Sequence, residues 1–396
     1  MTTFELIIIG GGLTSARAIR EYRAGGGAGR IALVTREATL PYHRPPLSKR
    51  YLRGEIEAEQ ALVEPQEFYD DNDVELLLET EVSSVDTREQ VVAGHRYDKL
   101  LVATGALPRT LDVPGADLAG VHTLRTLQDS TSIREAAAQT RDAVVIGSGF
   151  IGMEVAASLT VLGLDVTLVS RDADLFAQLR SPEISEHLVE LYRERGVDIV
   201  RGDEVHAFHG RSRLDTVELH SGRELGAGLA VIGVGVQPAV SFLAGSGIDV
   251  DDGILVDERF RTNVPNVYAA GDVARFHDPL FERSRRIEHW SNANYQGAKV
   301  GKVLAGDGGG YDTVSTFFTE SFGQTLKVFG DVSQHDDRIA RGSFADGEAI
   351  VFYLERGHLV GTLHAGQSEE TEADLKRLIA SGAPLEALSL TTGGTT

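Results

Sequence analysis

The chain has 396 residues and a formal charge of −21, from 38 basic against 59 acidic groups. That surplus disfavours nucleic acid and anionic membranes as partners. The length exceeds what one hydrophobic core organises, and 42% apolar residues without a long uninterrupted apolar segment point to a soluble protein of two or three domains. Cysteine is absent, which removes structural disulfides, thiolate metal sites and any redox-active dithiol; no metal site is expected. With no signal or transit segment ahead of the first strand, the expected address is the cytoplasm.

Residues 6–9 are a short apolar run of the kind found in a parallel strand buried on both faces. Gly10 and Gly12 turn the chain sharply, and a helix rich in small residues begins near Ser15. Such a turn leaves backbone N–H groups of the first helical turn free for an anion, so it reads as a pyrophosphate cradle. A second apolar run, 31–34, ends near Glu37, where a carboxylate can accept hydrogen bonds from an adenosine ribose. A solvated loop charge is the plainer reading of the same residue.

The segment 41–49 contains two adjacent prolines, which fix an extended loop that presents Arg44 and Lys49. Its R-P-P-L-S-K pattern resembles the FAD-dependent NAD(P)H:ferredoxin reductases, the family of putidaredoxin and rubredoxin reductases and of the reductase components of Rieske dioxygenases, with apoptosis-inducing factors as distant relatives. The resemblance implies that Arg44 reaches the FAD pyrophosphate and that Lys49 lies near the isoalloxazine N5.

Residues 74–92 read as a strand-rich excursion. The run 97–109 returns to the buried-strand pattern and ends in A-T-G-A-L-P-R, which resembles the second flavin signature and implies that Thr104, Gly105 and Arg109 lie close to the cofactor. A complete G-x-G-x-x-G follows at Gly147, Gly149 and Gly152, again after a strand and before a helix. Two such units in one chain point to two dinucleotides, FAD and a nicotinamide. Glu154 sits in the first helical turn, where the helix dipole favours a carboxylate; the resemblance pairs it with Lys49 beside the flavin. The next strand ends at Ser170 and Arg171, where a hydroxyl and a guanidinium suit a 2′-phosphate, so NADPH is favoured, although Asp172 and Asp174 follow.

A helix is expected over 188–195, and strands over 197–200 and 217–220 are expected in a small sheet. The run 229–238, with Gly235, resembles the return from the nicotinamide domain, and Gly271 and Asp272 resemble the third flavin signature, which delivers an aspartate to the ribitol. Trp290, the sole tryptophan, stands in a segment resembling one beside nicotinamide and flavin, and is equally readable as packing. His289 reads as a general acid or a hydrogen-bonded core histidine. The arginines of 282–286 form a candidate basic patch for an acidic partner, or a solvated loop.

After a glycine-rich link at 306–310, strands over 325–329, 349–354 and 358–362 and a helix over 370–380 suggest an α+β tail. Phe318 stands where bacterial ferredoxin reductases tend to place a tryptophan over the flavin edge. The expected fold is therefore α/β, with two Rossmann-like dinucleotide-binding domains of the glutathione-reductase type plus a small α+β C-terminal domain. The FAD-binding domain would be discontinuous, 1–110 and 240–310; the NAD(P)H-binding domain 111–239; the interface domain 311–396. Under the resemblance, hydride passes from NAD(P)H to FAD, and electrons leave to a ferredoxin or rubredoxin. An oxidase or a quinone or small-molecule reductase, and a redox-sensing binding protein, stay open, as does the oligomeric state, a homodimer included.

Overall fold

The computed structural model describes residues 1–384, which divide into two compact units. One unit comprises Met1–His43, Ala58–Leu107 and Gln237–Thr313; the other comprises Arg44–Glu57, Pro108–Val236 and Val314 onward. The R-P-P-L-S-K segment thus belongs with the second unit. The positions 385–396 of the expected interface domain lie outside the described residues.

The first unit is built on a sheet in which Val74–Leu77, Ile31–Val34, Thr3–Ile9 and His95–Val102 lie side by side, with Val267–Ala269 also beside His95–Val102; all of these pairs are parallel. Ile31, Ala32, Leu33 and Val34 are all fully buried, as a strand covered on both faces requires. Helix Leu13–Ala24 follows the first strand, and helix Trp290–Leu304 crosses it closely. Gly297 and Gly301, one turn apart, make that approach feasible: a Cβ on Gly297 would stand 2.6 Å from the Thr14 carbonyl oxygen, and one on Gly301 2.5 Å from that of Ala18.

The second unit holds a five-stranded parallel sheet in the order Asp198–Arg201, Asp165–Ser170, Asp142–Ile146, Leu229–Ile232, Val121–Thr123. An antiparallel three-stranded sheet, Val205–Gly210, Leu214–Leu219 and Glu224–Gly226, packs over it; it holds the strand expected over 217–220, whereas the one expected over 197–200 pairs in the parallel sheet instead. The tail is a five-stranded antiparallel sheet carrying helix Glu369–Ala380. Two of its strands, Thr316–Ser321 and Asp337–Ser343, were not expected as strands; both lie at sheet edges. Asp337–Ser343 has no period-two apolar pattern to mark a buried face, and its charged side chains suit an exposed edge. Among the described residues, no helix is long and apolar enough to cross a membrane.

Candidate functional site

In the first unit the chain leaves strand Thr3–Ile9 through Gly10, whose φ of +120° is open to glycine and strained for other residues. A Cβ here would overlap the backbone carbonyl of Ala103. Gly12 caps helix Leu13–Ala24 without any side-chain hydrogen bond, and a Cβ built on it meets nothing within 4 Å. In the second unit Gly147, at φ +105°, would clash with the Gly233 carbonyl in the same way, while Gly149 caps helix Phe150–Val161 without a side-chain bond and faces open space, with only the Gln178 amide at 3.9 Å. Each unit therefore presents an uncapped helix start beside a space left free of side chains. Helix Leu127–Ala137 shows the contrast: there Thr126 and Asp129 close the first turn as a capping box. The two glycine turns fit two dinucleotide pyrophosphates.

Around the first turn, Ser15 donates its hydroxyl to the Gly10 carbonyl. Glu37 accepts a 2.5 Å hydrogen bond from Tyr42, and its own N–H donates to Thr35 Oγ1 at 3.2 Å, so its carboxylate is held in place. Thr104 donates to the Ala239 carbonyl at 2.8 Å, and Gly105 takes φ +69°. Gly271, at φ +82°, would place a Cβ 2.5 Å from Thr14 Oγ1, and its N–H donates to Gln296 Oε1 at 2.8 Å. Asp272 follows at this pinned turn, and Arg286 reaches its carbonyl at 3.4 Å. Trp290 Nε1 donates to His43 Nδ1 at 2.9 Å, and His289 caps the helix by accepting the Ser291 N–H at 3.3 Å.

The arginine cluster is not the open basic patch expected. Arg285 is 13% exposed and bonds fully buried Asp278 at 2.8 Å; Arg286 is 10% exposed and bonds Asp252 at 2.9 Å and Glu288. The guanidinium groups of Arg283 and Arg285 also lie over the Phe281 ring. Local acids spaced through 252–288 hold Arg285 and Arg286, a pairing that a count of arginines along the chain does not reveal.

In the second unit the Glu154 carboxylate is held by three side chains. Lys49 Nζ approaches Glu154 Oε2 at 2.6 Å, with side chains 15% and 6% exposed; Ser48 Oγ donates to the same oxygen at 2.5 Å and Thr319 Oγ1 to the other at 2.9 Å. Burial of a carboxylate costs several kcal/mol unless its lone pairs are met, and here a cation and two hydroxyls meet them. The R-P-P-L-S-K backbone is fixed in turn: Ser158 donates to the Ser48 carbonyl at 2.6 Å and Ser130 to that of Leu47 at 2.8 Å. Arg44 donates to the Arg125 carbonyl at 2.5 Å. Ser48 lies inside the R-P-P-L-S-K motif and Thr319 inside the segment around Phe318, but nothing in the sequence pairs Thr319 with Glu154, because strand Thr316–Ser321 reaches Glu154 only through tertiary packing. Strand alternation places Phe317 with Thr319 on the face toward helix Phe150–Val161, where Phe317 meets Phe150 at 5.0 Å, and Phe318 on the opposite face.

Ser170 departs from the expectation at the nucleotide ribose. It is 1% exposed, its hydroxyl bonds Ser148 Oγ at 2.8 Å and donates to the Asp172 carbonyl at 2.9 Å, so it is spent inside the turn. Arg171 is exposed and flanked by Asp172 at 3.5 Å and Glu204 at 3.8 Å. Gly152 completes the turn, its Cα hydrogen standing where a Cβ would overlap the Gly147 carbonyl. Arg109 N–H donates to the Gly235 carbonyl at 2.9 Å, and Gly235 takes φ +98°.

Residues 4–297 match the pyridine nucleotide-disulphide oxidoreductase family and residues 316–394 the reductase C-terminal family. The chain is 34% identical over 362 residues to putidaredoxin reductase of Pseudomonas putida, covering 89% of this chain and 86% of that one. It is 34% identical over 387 residues to rhodocoxin reductase of Rhodococcus erythropolis, covering 96% and 90%. Among solved structures, the covalent putidaredoxin reductase–putidaredoxin complex superimposes with a TM-score of 0.93 at 32% identity, covering 99% of this chain and 96% of that one.

Proposed function

Because the chain belongs to the pyridine nucleotide-disulphide oxidoreductase family, and within it to the FAD-dependent ferredoxin reductases, we propose that it moves electrons from a nicotinamide nucleotide through FAD to a small iron–sulfur protein. The observation that carries this reading is the repeated glycine turn, one in each unit, in a chain with no cysteine to accept electrons. The chemistry that bound FAD supplies is the exchange of a two-electron hydride for one-electron delivery. The protein's contribution is binding, alignment and charge.

In the first unit, Gly12 and the free N–H groups after it hold the FAD pyrophosphate, with the oriented Glu37 carboxylate at the ribose and Asp272 at the ribitol. In the second, Gly149 and its helix start serve the nicotinamide nucleotide. Lys49 would supply the positive charge that compensates a flavin taking up electrons, and Glu154, with Ser48 and Thr319, fixes where its ammonium stands.

The nucleotide preference follows from register. The Gly10 N–H bonds the Val34 carbonyl and the Gly147 N–H bonds the Val169 carbonyl, both at 2.8 Å. Counting on from those carbonyls, Asp172 holds the position of Glu37, and Arg171 that of Arg36. An acid in that position accepts ribose hydroxyls and repels a 2′-phosphate, so the working donor in this reading is NADH, not the NADPH expected from Ser170 and Arg171.

The test is NADH-dependent cytochrome c reduction with and without an added [2Fe–2S] ferredoxin, run beside direct reduction of quinone and oxygen. Rapid turnover that requires the ferredoxin is expected. Rapid quinone or oxygen turnover to which ferredoxin adds nothing would overturn the acceptor assignment.

A further inference from the structure

His43 lies one residue before the R-P-P-L-S-K motif and enters none of the roles assigned so far. Its backbone is anchored in the first unit: its N–H donates to the Ala61 carbonyl at 2.7 Å, and the Val63 N–H bonds the Pro41 carbonyl at 2.9 Å. Its side chain meets Trp290 with ring centroids 5.7 Å apart, and Nδ1 lies 2.9 Å from the indole Nε1. An indole N–H only donates, so Nδ1 must be the bare acceptor and the imidazole proton sits on Nε2. An imidazolium carries hydrogen on both nitrogens and has no acceptor to offer.

We propose that neutral His43 is a positioning residue that fixes the plane of Trp290 through this bond, and that protonating His43 releases the indole. The consequence for turnover rests on the reading that Trp290 borders the cofactors. The charged groups facing the imidazole are Glu64, whose carboxylate also accepts from Arg20 Nε at 2.9 Å, and Arg17 of helix Leu13–Ala24. Burial lowers the His43 pKa below its ordinary value, with Glu64 opposing and Arg17 assisting. The neutral form is therefore complete above the ordinary histidine range and lost only as pH falls below it.

Because Trp290 is the sole tryptophan, holoenzyme labelled with [15N]tryptophan gives one indole resonance. Between pH 8 and pH 5 this resonance should shift in a single step with its midpoint below the ordinary histidine value. His43→Asn, whose Oδ1 stands near the Nδ1 position, should keep the shifted resonance and abolish the step; His43→Leu should remove the shift at every pH. Steady-state kinetics should then show kcat with NADH lowered severalfold in His43→Leu and largely restored in His43→Asn. A resonance that does not titrate, or that titrates equally in His43→Asn, overturns the tether; the wild-type titration decides this even where His43→Leu fails to fold. A tether that is present while both variants turn over as wild type overturns the positioning role, and with it the placing of Trp290 beside the cofactors, but leaves the proposed reductase activity standing.

Discussion

Five residues after its first glycine, one dinucleotide turn carries Ser15 and the other Gly152. In the first unit the Ser15 hydroxyl donates to the Gly10 carbonyl. In the second, the Gly147 carbonyl comes so close to the helix that no Cβ fits at Gly152. A side-chain donor thus satisfies the carbonyl in one turn, and backbone proximity shapes the other. The middle positions differ in a matching way: a Cβ on Gly11 would stand 2.6 Å from Thr35 Oγ1, whereas Ser148 bonds Ser170 across the equivalent gap. Two residues after Gly152 and Ser15 the contrast is one of charge, a triply held carboxylate at Glu154 against a guanidinium at Arg17. Equal backbone geometry therefore leaves the side chains free to specialise each turn.

The largest effects should come from the first glycines. Gly10→Ala and Gly147→Ala each combine a strained positive φ with carbonyl overlap, a cost of about 3–5 kcal/mol. If the units bind separate cofactors, Gly10→Ala should yield protein without bound flavin, while folded Gly147→Ala keeps its FAD spectrum and loses NADH affinity. Loss of flavin from both alike, measured by absorbance after desalting, would break the comparison.

Next is the charge that has no counterpart in the first unit. Lys49→Met leaves the buried Glu154 carboxylate without its cation, a loss of about 3–5 kcal/mol by the usual cost of breaking a buried pair. The double variant Lys49→Met with Glu154→Gln should recover much of that stability in urea unfolding while staying slow in flavin reduction. Full recovery of the rate would show that the pair serves folding alone.

A smaller effect separates the two helix corners. Ser15→Ala removes one hydrogen bond, worth about 1 kcal/mol, whereas Gly152→Ala forces an overlap with backbone and should cost two or three times as much, roughly 2–3 kcal/mol. Thermal unfolding of the two variants checks the order, and a costlier Ser15→Ala would reverse it. The smallest shift is expected at the strand ends. Asp172→Ser with Glu204→Gln frees Arg171 from both carboxylates and should raise the NADPH-to-NADH ratio of kcat/KM severalfold. An unchanged ratio would remove the correspondence between Asp172 and Glu37.

Much of this protein was legible as sequence because the signals are local. A glycine at a positive φ, a short apolar strand and an uncapped helix start recur over a dozen residues, so both dinucleotide turns and the parallel sheets could be read from the chain. Pairing across long separations was legible only where the family resemblance supplied it, as for Lys49 with Glu154. Thr319 reaches Glu154 across the tail sheet, His43 reaches Trp290 from far along the chain, and Asp278 and Asp252 turn a run of arginines inward. Ser170 followed a strand as expected, yet only packing showed its hydroxyl turned into the loop and Asp172 carrying the equivalent of Glu37. Backbone conformation depends on neighbours in sequence, whereas the partner of a buried polar group is set by whichever donor the folded chain brings within about 3 Å, and no local pattern encodes that.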